Sequence, residues 1–172
     1  MNAVTAPTLP WYVAHSKPRR EEVAKEHLVR QGYAVYLPRL KVLKHLRRQV
    51  LRLEPMFPRY LFFRQGRADQ SIAPVRSTHG VASIVAFGGN PAILSEQSLE
   101  QIRIFERRQN AADMLELSAL SPGRAVVITR GPLAGLHGLV AMVSSQRVIV
   151  LMSLLGQETR VMLNHSELRL AA

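Results

Sequence analysis

The segment VVITRGPLAGLHGLV, residues 126–140, has the composition of a loop that could hold a phosphate. It places Gly131, Pro132, Gly135 and Gly138 between two runs of β-branched residues. A phosphate-binding loop of the GxxxxGK[ST] type also needs a lysine for the phosphates and a hydroxyl for Mg²⁺. Leucine and histidine follow Gly135 instead, and the spacing of a dinucleotide-binding fingerprint is absent. We therefore expect these glycines to be structural and to let the chain turn between strands.

No other residues form a catalytic or metal-binding pattern. The serines, histidines and acidic residues are scattered, without the glycine-framed nucleophile of hydrolases. The six histidines lack the HxxxH and HExxH spacings that place two metal ligands on one helix face. The chain has no cysteine, which is typical of a reducing cytoplasm, and no apolar run long enough to span a membrane. We expect a cytoplasmic protein that is not an enzyme and needs no metal or cofactor.

Positive charge is concentrated in the first part of the chain, whose total net charge is +11. Residues 1–108 hold eighteen Lys and Arg against eight Asp and Glu, whereas residues 109–172 hold five against four. The run RLKVLKHLRRQVLR, residues 39–52, contains six of the cations and no acid. This asymmetry indicates a polyanionic partner, with nucleic acid the first candidate. A solvated charged surface is the alternative for residues 39–52.

Hydrophobic spacing and turn residues predict the elements that carry these groups. Strands are predicted for residues 11–16, 33–38, 57–64 and 80–87, and a strand or hairpin for residues 39–52. A helix is expected from Pro18, which suits a first helical turn, to Gly32, and another from Ser95 to about Arg108. A short helical turn is expected around residues 69–76. The order predicts an α+β sandwich with a mixed sheet over residues 10–107.

The last third of the chain predicts a second domain. Residues 107–123 lose periodicity, so we assign residues 108–121 to a linker and residues 122–172 to a small all-β barrel. Its strands are predicted for residues 124–130, 138–144, 147–153, 159–164 and 167–170. A buried helix over VIVLMSLL is the alternative, although its β-branched residues favour a strand.

Longer segments resemble a known family. GRAVVITRGPLAGLHGLV resembles the KOW motif, in which a strand leads into a Gly-Pro-x-x-Gly turn and a glycine opens the next strand. WYVAHSKPRREEVAKEHLVRQGY, EPMFPRYLFF and HGVASIVAFGGNPAILS resemble the N-terminal (NGN) domain of NusG-type transcription elongation factors, most closely the specialised RfaH-type paralogues. The resemblance extends from about Pro10 to Leu170. It implies an NGN domain followed by a KOW barrel, which in the RfaH type also adopts an α-helical hairpin.

The resemblance also implies two binding surfaces on the N-terminal domain. An apolar patch for the clamp helices of the RNA polymerase β′ subunit corresponds to His15, Phe57, Tyr60, Phe62, Phe87 and Leu99. A basic face for the exposed non-template DNA strand corresponds to Lys17, Arg20, His27, Thr78 and His79. Residues 71–74 correspond to a contact with the β-subunit gate loop, and Glu54 and Arg147 to a bridge between the domains. The KOW domain is implied to bind ribosomal protein uS10.

We therefore expect a monomeric elongation and antitermination factor that holds polymerase and DNA together. No chemistry is needed, because a ligand that binds one state better shifts the equilibrium toward it. One alternative is a general NusG factor, which would also bind the termination factor Rho. The other is a KOW-type ribosomal or ribosome-assembly protein that binds rRNA. The C-terminal domain of such a protein would be basic, whereas residues 109–172 have a net charge of +1.

Overall fold

The structure, a computed structural model, describes residues 8–45, 49–111, 151–152 and 154–156. Contacts divide the chain into two compact units, each built from separate stretches of sequence. Within the described ranges, the first unit holds the residues up to Tyr36 and Arg59–Glu96, and the second holds Leu37–Pro58 and the residues from Gln97. The glycine-rich turn and Arg147 lie outside the described residues, and the predicted division into 10–107, 108–121 and 122–172 stays a prediction.

The described elements alternate short strands with two helices. In chain order they are β1 (Trp11–Ser16), α1 (Glu21–Arg30), β2 (Ala34–Tyr36), β3 (Arg39–His45), β4 (Gln49–Pro55), β5 (Tyr60–Arg64), a 3₁₀ helix (Ala73–Ser77), β6 (Val81–Ile84), β7 (Ala86–Phe87), β8 (Asn90–Pro91), β9 (Ile93–Leu94) and α2 (Glu96–Ala111). The strand predicted for residues 11–16 is confirmed, and the strand or hairpin predicted for residues 39–52 is a pair of antiparallel strands. The short turn predicted around residues 69–76 is the 3₁₀ helix.

The first unit is built on one antiparallel sheet. Its order is β2-β5-β1-β6, and β9 also pairs with β1. The prediction of a mixed sheet is wrong for the described strands, because every pairing among them is antiparallel. The strand β5 lies between β1 and β2 and pairs with both, so these two co-directional strands never meet. The α+β class is confirmed.

The strand β5 is buried on both sides of the sheet. Leu61, Phe62 and Phe63 are all fully buried, so the alternation of a half-exposed strand is absent. The ring of Phe63 lies 5.5 Å from that of Tyr12 and 5.8 Å from that of Tyr33, at the distances of favourable aromatic pairs. Burial of each phenylalanine contributes about 1.5–3 kcal/mol, so β5 anchors the core of the first unit.

The indole of Trp11 joins the start of α2 to the sheet. Its Nε1–H donates to Glu96 Oε2 over 2.8 Å. The guanidinium of Arg64 lies 4.8 Å from the centre of the Trp11 ring, within reach of a cation–π interaction. The carboxylate of Glu96 is also 3.8 Å from the Arg64 guanidinium. These three side chains hold the first residue of α2 within the first unit.

Helix α1 begins later than Pro18. Arg19 has φ of +57°, a left-handed conformation that a right-handed helix started at Pro18 cannot include. Pro18 therefore lies in a turn, and the helix starts with Glu21 and Glu22, whose carboxylates favour the positive end of the helix dipole. The helix ends before Gly32, whose φ of +86° suits the left-handed position expected there.

In the second unit, β3 and β4 form a two-stranded ribbon that is attached to α2. Glu106 Oε1 accepts the backbone N–H of Arg39 over 2.7 Å. The side-chain amide of Asn110 accepts the N–H of Lys41 over 2.9 Å and donates to the carbonyl of Arg39 over 3.0 Å. These bonds explain why α2 runs to Ala111 and thus extends into residues predicted to be linker.

The described residues near the C-terminus are helical. Leu155 N–H donates to the carbonyls of Leu151 and Met152 over 3.1 and 3.2 Å, and Leu151 is fully buried. The strand predicted for residues 147–153 is therefore wrong at residues 151–152, where the helix considered as the alternative is found. Leucine and methionine are good helix formers, whereas the β-branched residues that favoured a strand come earlier in VIVLMSLL.

We expect Gly80→Ala to destabilise the protein more than Gly88→Ala. Both glycines have positive φ, +88° and +57°, so alanine at either position costs about 1–2 kcal/mol of backbone strain. A Cβ on Gly80 would also lie 2.7 Å from the backbone nitrogen of Ala24, whereas Gly88 has open space. Urea denaturation should show a loss of about 3 kcal/mol or more for Gly80→Ala. Equal losses for both variants would contradict a steric role of the approach to α1.

Candidate functional site

The residues predicted for DNA binding come from three stretches of the first unit. Lys17 and Arg20 precede α1, His27 lies in α1, and Thr78 and His79 precede β6. The N–H of Lys17 donates to the carbonyl of Gly80 over 2.8 Å, which brings the first stretch against the third. The structure thus brings together residues that are about 60 positions apart in sequence.

A second contact joins α1 to the same loop. The ring of His27 lies 5.2 Å from that of His79, edge to face. The side chain of Gln31 donates to Thr78 Oγ1 over 3.0 Å and to the carbonyl of His27 over 3.1 Å. Thr78 Oγ1 also contacts the carbonyl of Pro74 over 3.1 Å. These bonds fix the loop against the end of α1 and set the two imidazoles side by side.

The predicted DNA-binding residues differ in their access to solvent. Lys17, Arg20 and His79 are exposed, and His27 is half-buried. Thr78 is only 5% exposed, and its hydroxyl is already engaged by Gln31. Thr78 therefore holds the loop at residues 78–80 in place. The other four residues form the solvent-accessible part of the candidate DNA face.

Sequence reasoning missed two contributors to this basic face. Gln31 stands before the glycine that ends α1, and nothing in its spacing shows that the loop at residues 78–80 returns to it. Arg19 lies between Lys17 and Arg20 and is also exposed. Its cation was visible in the sequence, but the left-handed turn that places it outside α1 was not.

The residues predicted for polymerase binding fall in both units. In the first unit, His15 lies opposite Tyr60 in adjacent strands, and their rings stack with 4.8 Å between centres. These two residues and Phe87 are half-buried, so each offers part of its ring to solvent. Phe62 is fully buried and stacks on Tyr36 at 6.0 Å. In the second unit, Phe57 and Leu99 are fully buried as well.

Arg59 affects the pKa of His15. The sequence analysis did not identify this residue. Its φ is +70°, its N–H donates to Glu21 Oε1 over 2.9 Å, and its Nε donates to the carbonyl of Ser16 over 3.2 Å. Burial lowers the pKa of His15 below its ordinary value, and the positive charge of Arg59 lowers this pKa further. The lowered pKa favours the neutral imidazole, which stacks on Tyr60 without carrying a charge into an apolar surface.

Two further contacts were predicted, one made by residues 71–74 and one between Glu54 and Arg147. At residues 71–74, the hydroxyl of Tyr33 donates to the carbonyl of Ser71 over 2.7 Å, and Ser71 Oγ accepts the N–H of Ala73 over 3.1 Å. This segment is therefore ordered against the first unit before the 3₁₀ helix begins. Glu54 lies in β4, but its predicted partner Arg147 is outside the described residues.

The described ranges also constrain other kinds of site. Within them, no three or more His, Asp or Glu side chains come close enough to hold a metal ion. No helix among the described residues is both long and apolar enough to cross a membrane.

Comparison with known proteins identifies the family. The family model described as transcription termination factor nusG matches residues 9–103, more than half of the chain. The chain belongs to the NusG family. NusG-family proteins are non-enzymatic transcription factors that work with RNA polymerase, which agrees with the absence of a catalytic pattern in this sequence.

Individual relatives of this chain have low sequence identity to it. The transcription termination/antitermination protein NusG of Chlamydia trachomatis is 29% identical over 108 residues, 62% of this chain and 58% of its own length. The NusG of Chlamydia muridarum gives the same values, so the chain spans less than two thirds of these relatives. The NusG of Rickettsia bellii is 23% identical over 174 residues, covering 94% of this chain and 90% of its own.

The chain is also similar to a solved structure that shows the domain interaction in Thermotoga maritima NusG, with 20% sequence identity. It covers 70% of this chain and 67% of its own, with a TM-score of 0.39. That score is too low to establish a shared fold, so the assignment to the NusG family follows from the sequence match.

We expect His15 to titrate below 6.5, its ordinary pKa, and Arg59→Gln to raise its pKa. The value should stay below 6.5 in the variant, because burial is the larger cause. As pH falls through 6.5, the unfolded chain binds a proton at His15 before the folded chain does, so the free energy of unfolding decreases. NMR titration of the imidazole measures the pKa directly.

Arg67→Gln is the matched control, since Arg67 is an exposed arginine paired with Asp69. It should leave the pKa of His15 unchanged. A pKa of His15 that does not move in Arg59→Gln would contradict the assigned effect of Arg59.

Proposed function

We propose that this NusG-family protein is an elongation and antitermination factor that binds RNA polymerase and the non-template DNA strand. The observation that carries the DNA part is the bond between Lys17 and Gly80, which gathers Lys17, Arg20 and His79 on one exposed face. The family assignment supports the polymerase part. Clamping both partners favours the elongating state over the paused one, without chemistry.

The proposed DNA face combines two kinds of contact. Lys17 and Arg20 are exposed cations just before the start of α1. Their positive charges suit contacts with DNA phosphates. The His27 and His79 rings lie edge to face beside them and present π surfaces to an unstacked base. A single strand is thus bound by its backbone and by at least one base, which gives a limited preference for sequence.

The proposed polymerase surface is the aromatic group of His15, Tyr60 and Phe87. The imidazole of His15 is biased toward its neutral form and stacks on Tyr60, so together they offer an apolar area on the two inner strands of the sheet, β1 and β5. Phe62 is fully buried and stacks on Tyr36, so it belongs to the core rather than to this surface. Aromatic side chains of this kind dominate the energy of protein interfaces.

We further propose that the protein follows the RfaH type of the family. Phe57 and Leu99 are fully buried in the unit that also holds the helical residues 151, 152 and 154, with Leu151 buried. If the C-terminal residues cover Phe57 and Leu99, they must leave before polymerase contacts those side chains. The released residues would then form the KOW barrel and bind uS10. The buried helical turn favours this proposal over a general NusG factor.

The double variant Tyr60→Ala with Phe87→Ala should lose binding to RNA polymerase. Aromatic anchors at interfaces contribute about 2–4 kcal/mol each, so the loss of two should lower the affinity by a factor on the order of 1,000 or more. Both rings are half-exposed, so the fold should survive. Pull-down and biolayer interferometry with purified polymerase measure the loss.

The matched control is Val29→Ala with Ile93→Ala, which removes two exposed apolar side chains outside the proposed surface. It should bind polymerase normally. A folded Tyr60/Phe87 variant with normal affinity would exclude this surface from polymerase binding.

Lys17→Gln and Arg20→Gln should weaken single-stranded DNA binding and reduce its salt dependence. Each lost phosphate contact lowers the slope of log affinity against log salt by about 0.7. Fluorescence anisotropy with a labelled oligonucleotide over a range of salt concentrations measures the slope. Arg67→Gln, the removal of an exposed arginine paired with Asp69, should leave the slope unchanged. Equal slopes in all four proteins would show that this face does not contact phosphates.

A further inference from the structure

The ribbon of β3 and β4 has one covered edge and one open edge. In an antiparallel pair, residues alternate between those that exchange hydrogen bonds and those whose N–H and C=O groups point away from the partner strand. The N–H groups of Arg39 and Lys41 donate to side chains of α2, so these residues point away from β4. The next pair along the ribbon agrees with this alternation, because the N–H of Met56 donates to the carbonyl of Pro38 over 2.8 Å.

The register then defines the outer edge of β4. Leu53 lies opposite Lys41 and Leu51 lies opposite Leu43, so the N–H and C=O groups of both leucines point away from β3. Among the described strands β4 pairs with β3 alone, which leaves these outward groups available to another strand. The side chains of Leu51 and Leu53 are also 42% and 51% exposed. An edge of this kind is a template for strand pairing.

The charge at this edge is balanced. The strand β4 carries one cation, Arg52, and one acid, Glu54, and both lie on the face opposite the two leucines. Arg52 is exposed and Glu54 is half-buried. The cations of β3 belong to the neighbouring strand, where the ammonium of Lys41 donates to the carbonyl of Asn110 in α2. A strand that approaches β4 therefore meets one charge of each sign.

These two charges make β4 complementary to itself. When two copies of β4 pair antiparallel about Leu53, Arg52 of each copy lies opposite Glu54 of the other. These are non-hydrogen-bonded pairs, whose Cα atoms are only about 4.5 Å apart, so the opposite charges meet where side chains are closest. Pairing about Arg52 would instead place the two arginines opposite each other, and pairing about Leu51 would place Arg52 opposite Val50.

The backbone supports the same register. At the centre, the outward N–H and C=O groups of Leu53 exchange two hydrogen bonds with those of Leu53 in the second copy. At each end, the N–H of Leu51 donates to the carbonyl of Pro55, which needs no N–H of its own for this bond. A symmetric contact of this kind is closed, so it produces a dimer rather than a fibre.

We propose that the outer edge of β4 is a self-association site, at which two copies of this chain pair antiparallel about Leu53 into a four-stranded sheet. The pairing covers Leu51 and Leu53 and forms an Arg52–Glu54 ion pair on each side of the centre. This inference departs from the monomer expected from the sequence. It is independent of the proposed contacts with polymerase and DNA, which use residues of the first unit.

The net charge of the chain does not prevent this pairing. A charge of +11 on each copy opposes association at long range. At about 0.15 M salt the Debye length is about 8 Å, so repulsion between distant charges is largely screened. The pairing itself is short, and we expect a weak dimer that forms as the concentration rises.

Charge reversal in the full-length protein tests the register. Arg52→Glu leaves two acids on β4 and Glu54→Arg leaves two cations, so each variant opposes like charges when it pairs with itself. Each should associate at least about tenfold more weakly than the unmodified protein. An equimolar mixture of the two variants restores opposite charges at every position and should associate about as strongly as the unmodified protein. Sedimentation velocity of nucleic-acid-free protein, at concentrations up to about 1 mM, measures the association.

A backbone variant tests the strand pairing. Leu53→Pro removes the N–H that bonds at the centre and keeps every hydrogen bond within the ribbon, because Leu53 and Pro55 have the same orientation. Association should weaken at least about tenfold. The matched control Leu53→Val keeps the N–H and an apolar side chain, so its association should change by about threefold or less. Circular dichroism checks the fold of every variant.

The proposal is supported by a dimer that weakens in Leu53→Pro and re-forms in the mixture of the two charge variants. A protein that stays monomeric up to about 1 mM would overturn it and would leave the edge to a strand of another protein. A dimer that persists in Leu53→Pro, or that both charge variants form unchanged, would place self-association elsewhere on the molecule. A mixture that fails to associate would overturn the pairing about Leu53.

Discussion

The close approach between the loop at residues 78–80 and α1 is the constraint on which the candidate DNA face depends. Gly80 accepts the N–H of Lys17 and leaves no room for a Cβ beside Ala24. Only a residue without a side chain allows this distance together with a positive φ. Without it, Lys17 and His79 would be held apart, and the basic residues would remain dispersed along the chain.

Local signals were sufficient for much of the fold. Aromatic and β-branched runs identified β1 and β5, and Gly32 correctly marked the end of α1. The family pattern named the residues of both proposed surfaces, and the structure brings together those predicted to bind DNA. The strands and the end of α1 could be read because each is determined by a few neighbouring residues.

What the sequence did not reveal depends on contacts between distant residues or on backbone angles. The bond of Gln31 to Thr78 joins positions 47 residues apart, and no spacing rule connects them. The left-handed conformation of Arg19 displaced the start of α1, although arginine gives no signal for it. Similarly, α2 extends to Ala111 because Asn110 bonds to β3, while periodicity alone ends the helix earlier. At Leu151, helix-forming leucines prevailed over a β-branched context.

Trp11 is the only tryptophan in the chain, and its indole is bonded to the first residue of α2. Its fluorescence therefore comes from a single known place, where a carboxylate accepts the indole N–H and a guanidinium lies over the ring. Loss of the contact between Trp11 and Glu96 would expose the indole to water and change the wavelength and intensity of its emission. The protein thus contains an intrinsic optical reporter of this contact, which can be followed in solution without any label.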